Sequence, residues 1–324
     1  VGKEYSLRED RLHAVLIEPQ LARFRELCDL ESVPLAVSFE GWHRHAILSP
    51  DRVFLIPRDR SRVAGLLYEA AVLEALAGRG VPAPRLLGQW RDRNISPYPF
   101  TAVSRLPGQT WSTWEDSATL DQVVDVLTSL GQAIAAWHRL DVRTLPRRLR
   151  ARRSPGLAEF RKLFDRDSLQ EAALAATQRL ALPEKRATDW LIELEPVRRM
   201  APVFVHGDVN EGQILVGDQL RVAGILDWET AGVGHPLKDF DFGEWGFGIF
   251  AWEPTFDVLR RATWEAYVQA RGGDLPSWRA VHLFFCLTSI AQTSRQENLS
   301  AWGQTHLATN LDLLRRLDDR GDSG

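Results

Sequence analysis

The sequence predicts an α+β chain of two lobes, a small N-terminal antiparallel-sheet lobe followed by a larger, mainly helical C-terminal lobe. Short β-rich pieces broken by turn formers crowd the N-terminal part. Beyond Arg105-Leu106-Pro107-Gly108 helical spacing takes over, except for a β-rich island from Val203 to Asp227. The length, 324 residues, suits two joined lobes better than one small core, since domains usually run ~100–200 residues.

In chain order, Leu21, Phe24 and Leu27 recur every three residues and predict a leading helix over 19–30. Strands are expected at 34–39, 46–48 and 53–56, separated by Gly41 and by Ser49-Pro50-Asp51, which reads as an antiparallel meander. Val63, Leu66, Leu67, Ala70, Leu73 and Leu76 carry helical spacing that stops at Gly78 and Gly80. Strands at 85–90 and 100–104 complete the small sheet. Helices are then expected over 119–140, 156–180, 184–198, 239–250, 255–270, 276–296 and 303–318. The boundary near 104–108 divides an N-lobe, 1–104, from a C-lobe, 105–324, and the crevice between them is the expected ligand site.

Composition narrows the function. Hydrophobic residues at 44% and charged residues at 26% describe an ordinary soluble globular protein. A net charge of -3 argues against a nucleic-acid partner. The basic run from Arg147 to Arg153 has no interleaved aromatics and reads as a solvated face. Cys28 and Cys286 form no CxxC pair, which disfavours disulfide scaffolds and metal clusters and suits a reducing cytoplasm. The first residues lack the apolar core of a signal peptide, and the apolar run 281–291 falls short of the ~20 residues that span a bilayer, so no membrane partner is expected.

The chemistry concentrates in Val203-Phe204-Val205-His206-Gly207-Asp208-Val209-Asn210-Glu211-Gly212-Gln213-Ile214-Leu215-Val216. An apolar strand enters a polar turn and another leaves it, which mounts Asp208 on a rigidly held loop. A second acid, Asp227, ends the apolar run Val222-Ala223-Gly224-Ile225-Leu226. If the strands that precede the two acids pair as a hairpin, both carboxylates emerge near one end of it. Two carboxylates and an amide suit phosphoryl transfer, which needs a positioned hydroxyl acceptor and magnesium held by hard oxygens. One carboxylate orients the hydroxyl and takes its proton; the other holds the metal together with the amide oxygen. Asp208, Asp227 and Gln213 suit those roles in that order.

These residues carry a family resemblance. His206-Gly207-Asp208, with an amide five positions after the aspartate, resembles the catalytic loop of the aminoglycoside phosphotransferase and choline kinase-like superfamily. Ile225-Leu226-Asp227-Trp228-Glu229, followed by Gly234-His235-Pro236 and Asp239, is similar to that family's metal-binding segment. The resemblance runs from the first strands to the helix after Asp239 and implies a protein-kinase-like fold. It implies Asp208 as catalytic base, Gln213 and Asp227 as Mg2+ ligands, and Glu69 as the helix acid of the small lobe. It further implies that Asp239 ties the metal segment to the loop and that His206 braces the loop.

Two departures stand out. Gln213 replaces the family's usual asparagine; it keeps the amide oxygen, and maltokinase-like members look similar here. Leu55 occupies the slot on the third strand where the family places a phosphate-holding lysine, which leaves Glu69 without its usual ion-pair partner. Arg58, at the end of that strand, or Arg44, in the turn after Gly41 with His43 and His45, is expected to replace the lysine.

Trp111, Trp114, Trp245 and Trp252, with Glu244, Glu253 and Asp257, fall where an acceptor pocket could form, although core packing is the stronger reading of each tryptophan and solvated faces explain the acids as well. His235, before Pro236, reads as structural. The sequence thus predicts an O-phosphotransferase using ATP or GTP on a small hydroxylated acceptor, either an aminoglycoside-like antibiotic or another metabolite. The rival is a pseudokinase that binds a nucleotide or metabolite and regulates a partner without transfer, motivated by Leu55 and Gln213. A protein kinase is disfavoured, because no activation-loop-like insert separates Asp227 from Asp239.

Overall fold

The computed structural model describes residues 9–38, 43–152, 155–240, 255–294 and 301–321. Gly41, Glu244, Trp245, Trp252, Glu253, the Asp257 side chain and the expected helix 239–250 beyond Phe240 lie outside the described residues. The chain divides into two compact units. Unit 1 joins Val1–Trp114 to Gln213–Ala231, and unit 2 comprises Glu115–Gly212 and Gly232–Gly324. By contacts, therefore, 105–114 and the return segment 213–231 group with the first unit, whereas a cut at 104 assigns both to the second.

Unit 1 is built on a five-stranded antiparallel sheet. Its strands are β1 (Ala36–Ser38), β2 (Arg44–Leu48), β3 (Arg52–Pro57), β4 (Leu86–Trp90) and β5 (Phe100–Ser104), in the order β1-β2-β3-β5-β4. The expected meander is present, with Ser49 and Asp51 hydrogen-bonded at 3.0 Å in the β2–β3 turn. Helix α1 (Glu18–Leu27) starts with Pro19 in its first turn, where a missing N–H costs nothing. It buries Leu21 and Phe24 in a core with Phe54 and Phe100. Phe24 meets Phe54 edge-on at 4.8 Å and Trp90 stacks on Phe100 at 5.5 Å. Helix α2 (Val63–Leu76) follows the apolar spacing and buries Leu66, Val72, Leu73 and Leu76.

Strand β6 (Gln109–Thr110) leads into the short helix α3 (Trp111–Trp114), whose two tryptophans pack edge-on at 5.3 Å and are buried.

Unit 2 is helical: α4 (Leu120–His138), α5 (Arg147–Arg150), α6 (Pro155–Lys162), α7 (Arg166–Leu180), α8 (Lys185–Glu193), α9 (Glu195–Arg198), α10 (Thr255–Arg271), α11 (Trp278–Ser294) and α12 (Ala301–Gly321). The span expected as one helix over 156–180 breaks into α6 and α7, and 184–198 breaks at Glu195-Pro196, since a proline inside a helix removes a donor and clashes with the preceding turn. Thr119 caps α4 in a reciprocal box with Gln122. One strand pair interrupts the helices: β7 (Val203–Val205) runs antiparallel to β10 (Gly232–Gly234).

Strands β8 (Ile214–Val216) and β9 (Val222–Ile225) pair with each other, and β8 also pairs with β6, all in unit 1. The strands that precede the two acids therefore do not form a hairpin. Runs of three residues carry too little pattern to choose a partner, and the chain's return past Ala231 gives β7 a different one, β10. Among the described residues, no helix is long and apolar enough to cross a membrane.

Candidate active site

In unit 2, β7 delivers His206, Gly207 and Asp208 to a loop anchored from beneath by one buried carboxylate. Asp239 accepts the N–H groups of His206 at 2.8 Å and Gly207 at 2.7 Å. Two side chains at the C-terminal end of α4 complete its shell, Trp137 Nε1 at 2.7 Å and His138 Nε2 at 3.0 Å. Burial pushes the Asp239 carboxyl up. The His138 hydrogen bond, the charges of His138 and His206 and the Gly207 N–H outweigh it, so the group lies below the ordinary carboxylate range. His206 is fully buried, and its Nδ1 accepts the Asp208 N–H at 3.3 Å. Asn210 Oδ1 then accepts the N–H of Gly212 at 3.0 Å. The Asp208 side chain leaves this braced backbone into solvent.

In unit 1, Gln213 immediately precedes β8 and Asp227 follows β9 by two residues. Ile214 faces Ile225 in register, and Leu226 N–H donates to the Gln213 carbonyl at 2.8 Å. An amide and a carboxylate therefore stand at one end of one hairpin. Asp227 is left-handed, at φ 60° and ψ 63°, which costs a non-glycine residue on the order of 1 kcal/mol or more and turns the chain sharply out of the sheet. The segment from Trp228 to Ala231 then docks on α2. Trp228 N–H donates to Glu69 at 3.1 Å, and the Tyr68 hydroxyl donates to the Ala231 carbonyl at 2.7 Å.

The expectation that Glu69 lacks an ion-pair partner is corrected here. Arg44 donates to Glu69 through Nη1 and to Glu229 through Nη2, and its Nη2 lies 3.6 Å from Asp227 Oδ1. Arg44 is not in the turn after Gly41 but opens β2, opposite Pro57, while Leu55 faces Ala46 two pairs further along. The strand starts earlier than its apolar residues show, because ion pairs to α2 and to the docked segment satisfy its first side chain. Burial pulls the Arg44 pKa down, yet the charges of Glu69, Asp227 and Glu229 raise it well above the ordinary arginine value. Burial likewise raises Glu69, Arg44 pulls it back and Asp227 adds to the rise. Glu229 is pushed up by burial but brought below its ordinary value by Arg44 and His43. Arg58 follows β3 directly with an exposed side chain, and its charge, after burial, lowers His45.

Of the residues singled out from sequence, Arg44, Glu69 and Asp227 meet in one cluster, Gln213 stands beside Asp227 on the same hairpin, and Arg58 is apart. Asp208 belongs to the other unit. Sequence reading missed Glu229 and the pair Trp137-His138. The signal for the pair was a histidine on the buried face of α4, which needs a polar partner. For Glu229 no local signal exists, because its partners lie near residues 43 and 44. Gln213 and Asp227 are hard oxygen donors of the kind magnesium takes. Among the described residues no group of three or more His, Cys, Asp or Glu side chains forms a metal nest. An ion held here would rest on Gln213, Asp227 and the substrate's own phosphates, a donor set that fits magnesium, which binds through one or two protein groups plus phosphate.

The antiparallel-sheet unit, the helical unit and the two motif loops define a kinase-like phosphotransferase fold. Solved structures agree. A macrolide 2'-phosphotransferase from Brachybacterium faecium superposes with TM-score 0.55 at 22% identity, covering 89% of this chain and 97% of that one. The wild-type aminoglycoside 2'-phosphotransferase-IIIa GDP complex gives 0.53 at 19% identity, covering 97% and 100%. In sequence, viomycin phosphotransferase of Streptomyces vinaceus is 28% identical over 220 residues, 62% of this chain and 69% of that protein. Mouse acyl-CoA dehydrogenase family member 11 is 23% identical over 244 residues, and the match spans only 30% of its length. The model of the phosphotransferase enzyme family matches residues 24–284, and the chain belongs to that family. It is accordingly a phosphotransferase of the alcohol-acceptor kinase class.

Proposed function

We propose that this chain transfers the γ-phosphate of ATP or GTP to a hydroxyl of a small antibiotic, aminoglycoside-like or related, or of another hydroxylated metabolite. The observation that carries the reading is the family match over 24–284, which takes in every candidate residue from Arg44 to Asp227. Relatives named for viomycin, macrolides and aminoglycosides make a hydroxylated antibiotic the first acceptor class to test. A cytoplasmic setting suits the nucleotide donor and the two buried free cysteines.

In this mechanism the acceptor oxygen forms a bond to the γ-phosphorus while the bond to the bridging oxygen breaks, releasing nucleoside diphosphate. Asp208 orients the attacking hydroxyl and receives its proton, and the Asp239-anchored backbone holds it still. Arg44 with Glu69, and Arg58 at the end of β3, serve the nucleotide phosphates. Gln213 and Asp227 would hold Mg2+, which when bound offsets the charge on the phosphoryl oxygens. Residues 1–104 are thus assigned mainly to the nucleotide, and 105–324 to catalysis and the acceptor.

The test is an acceptor panel of viomycin, aminoglycosides and macrolides with labelled ATP or GTP and magnesium. Asp208→Ala is expected to lower kcat at least about 100-fold, the lower end of general-base contributions. Nucleotide-dependent stabilisation with no transfer to any acceptor would instead establish the pseudokinase reading.

A further inference from the structure

The cation opening β2 is held by more acid than one ion pair requires. Arg44 is 9% exposed, and its two terminal nitrogens go to different carboxylates, Nη1 to Glu69 and Nη2 to Glu229. Its Nε is buried without an acceptor among the described residues, so the two terminal contacts fix the plane of the fork. Glu229 is itself held in place. His43 Nδ1 lies 3.2 Å from its Oε1, and on its other side stands Gly65, in the first turn of α2, where a Cβ would come within 2.5 Å of Oε2. Glu69 is fixed independently by the Trp228 N–H at 3.1 Å. Two braced carboxylates gripping separate nitrogens determine both the position and the tilt of a planar guanidinium; one carboxylate leaves the tilt free.

We propose that Glu229 is a positioning residue for nucleotide binding: together with Glu69 it clamps the Arg44 guanidinium, so that a cation entering from β2 does the work for which the third strand offers only Leu55. This rests on the phosphotransferase reading. Gly65 belongs to the same device, since any side chain there would displace the Glu229 carboxylate.

The experiment titrates the full chain with fluorescent ATP and GTP analogues, with and without magnesium, and measures KM and kcat separately. Glu229→Ala is expected to weaken nucleotide binding at least about tenfold while the acceptor KM stays within about twofold. Glu229→Gln, which keeps an acceptor oxygen for Arg44, is expected to recover most of that loss. Arg44→Lys should resemble Glu229→Ala, because an ammonium has no planar fork. Gly65→Ala offers a route that removes no charge: it should weaken nucleotide binding, and combined with Glu229→Ala it should add nothing further. Wild-type affinity in a folded Glu229→Ala protein overturns the inference, as does a glutamine variant as damaged as the alanine one. Because the titration needs no transfer, nucleotide binding without phosphorylation of any acceptor would sink the functional reading and leave this one standing. A wild-type chain that binds neither nucleotide would sink this one.

Discussion

His235 shows how one residue couples the phosphotransferase fold to pH. Its ring stacks on Phe164 at a centroid distance of 3.8 Å. Nδ1 accepts the Leu237 N–H at 3.2 Å, so the proton sits on Nε2, which donates to the Val197 carbonyl at 2.9 Å. Burial lowers its pKa to about 4, with the Val197 carbonyl opposing and the His138 charge adding to the drop. The unfolded chain, with an ordinary histidine pKa near ~6.5, binds a proton between pH 6.5 and 4 while the folded chain does not. Stability from this group is therefore fully present above ~6.5, falls as pH drops through that window and levels off below ~4. Its size is roughly 3–4 kcal/mol, from ~1.4 kcal/mol per pH unit. Urea midpoints of wild type and His235→Phe between pH 7 and 4 check this: the wild type should lose stability more steeply. Parallel curves would contradict the assignment. Asp239 loses stability in the same direction but at lower pH: four donors keep it ionised, so its depressed pKa makes acid below the ordinary carboxylate range unfavourable to the Asp208 loop.

Among the elements, α4 and α10 pack closely at Gly131. A Cβ at Gly131 of α4 would collide with the Thr263 carbonyl and crowd the Tyr267 N–H of α10, both backbone groups that cannot turn aside. Gly131→Ala gains up to ~1 kcal/mol of helix propensity and still forces the helices apart, for which overpacking costs typically ~1–3 kcal/mol. A lower urea midpoint with an unchanged slope is expected, and a stabilised variant would mean that the helices slide without loss. Elements of this kind were largely legible in the sequence. The apolar spacing from Val63 to Leu76 and the turn formers of the meander encode α2 and β1–β3 locally. What stayed hidden depends on partners far away in the chain. Arg44 and His45 disguise the start of β2, since a strand residue whose side chain pairs with Glu69 and Glu229 looks like a loop residue in isolation. The pairing of β7 with β10 escaped for the same reason, as did the breaks at Asp165 and Pro196 for a different one: periodicity runs on through a short interruption. The motif loops were legible because their polar residues sit at fixed offsets from apolar strands.

On the scale of the whole molecule, the chain leaves unit 1 after Trp114 and comes back at Gln213 to finish it. The returning piece supplies β8 and β9, pairs β8 with β6 through Gln109–Val216 and Thr110–Leu215, and ties Ile225 N–H to the Pro82 carbonyl at 2.7 Å. It also brings the 227–231 segment that satisfies Tyr68 and Glu69 on α2. The aromatic core of the five-stranded sheet, by contrast, is drawn, among the described residues, from Leu12 to Ala102. A fragment of residues 1–114 is therefore expected to split the unit's stability. β3 and β5, wrapped around Phe54 and Phe100, should keep slow amide exchange, because local opening follows the density of buried contacts. Helix α2 should exchange fast in the same fragment, since its buried Glu69 loses the Trp228 N–H, and Arg44, without Glu229 and Asp227, becomes a poorly fixed counterion. Hydrogen exchange on the fragment and on the full chain measures both elements at once. Equal protection of α2 in the two would mean that the return segment is held by α2 without holding it, and the reciprocal docking of residues 227–231 on this helix would lose its basis.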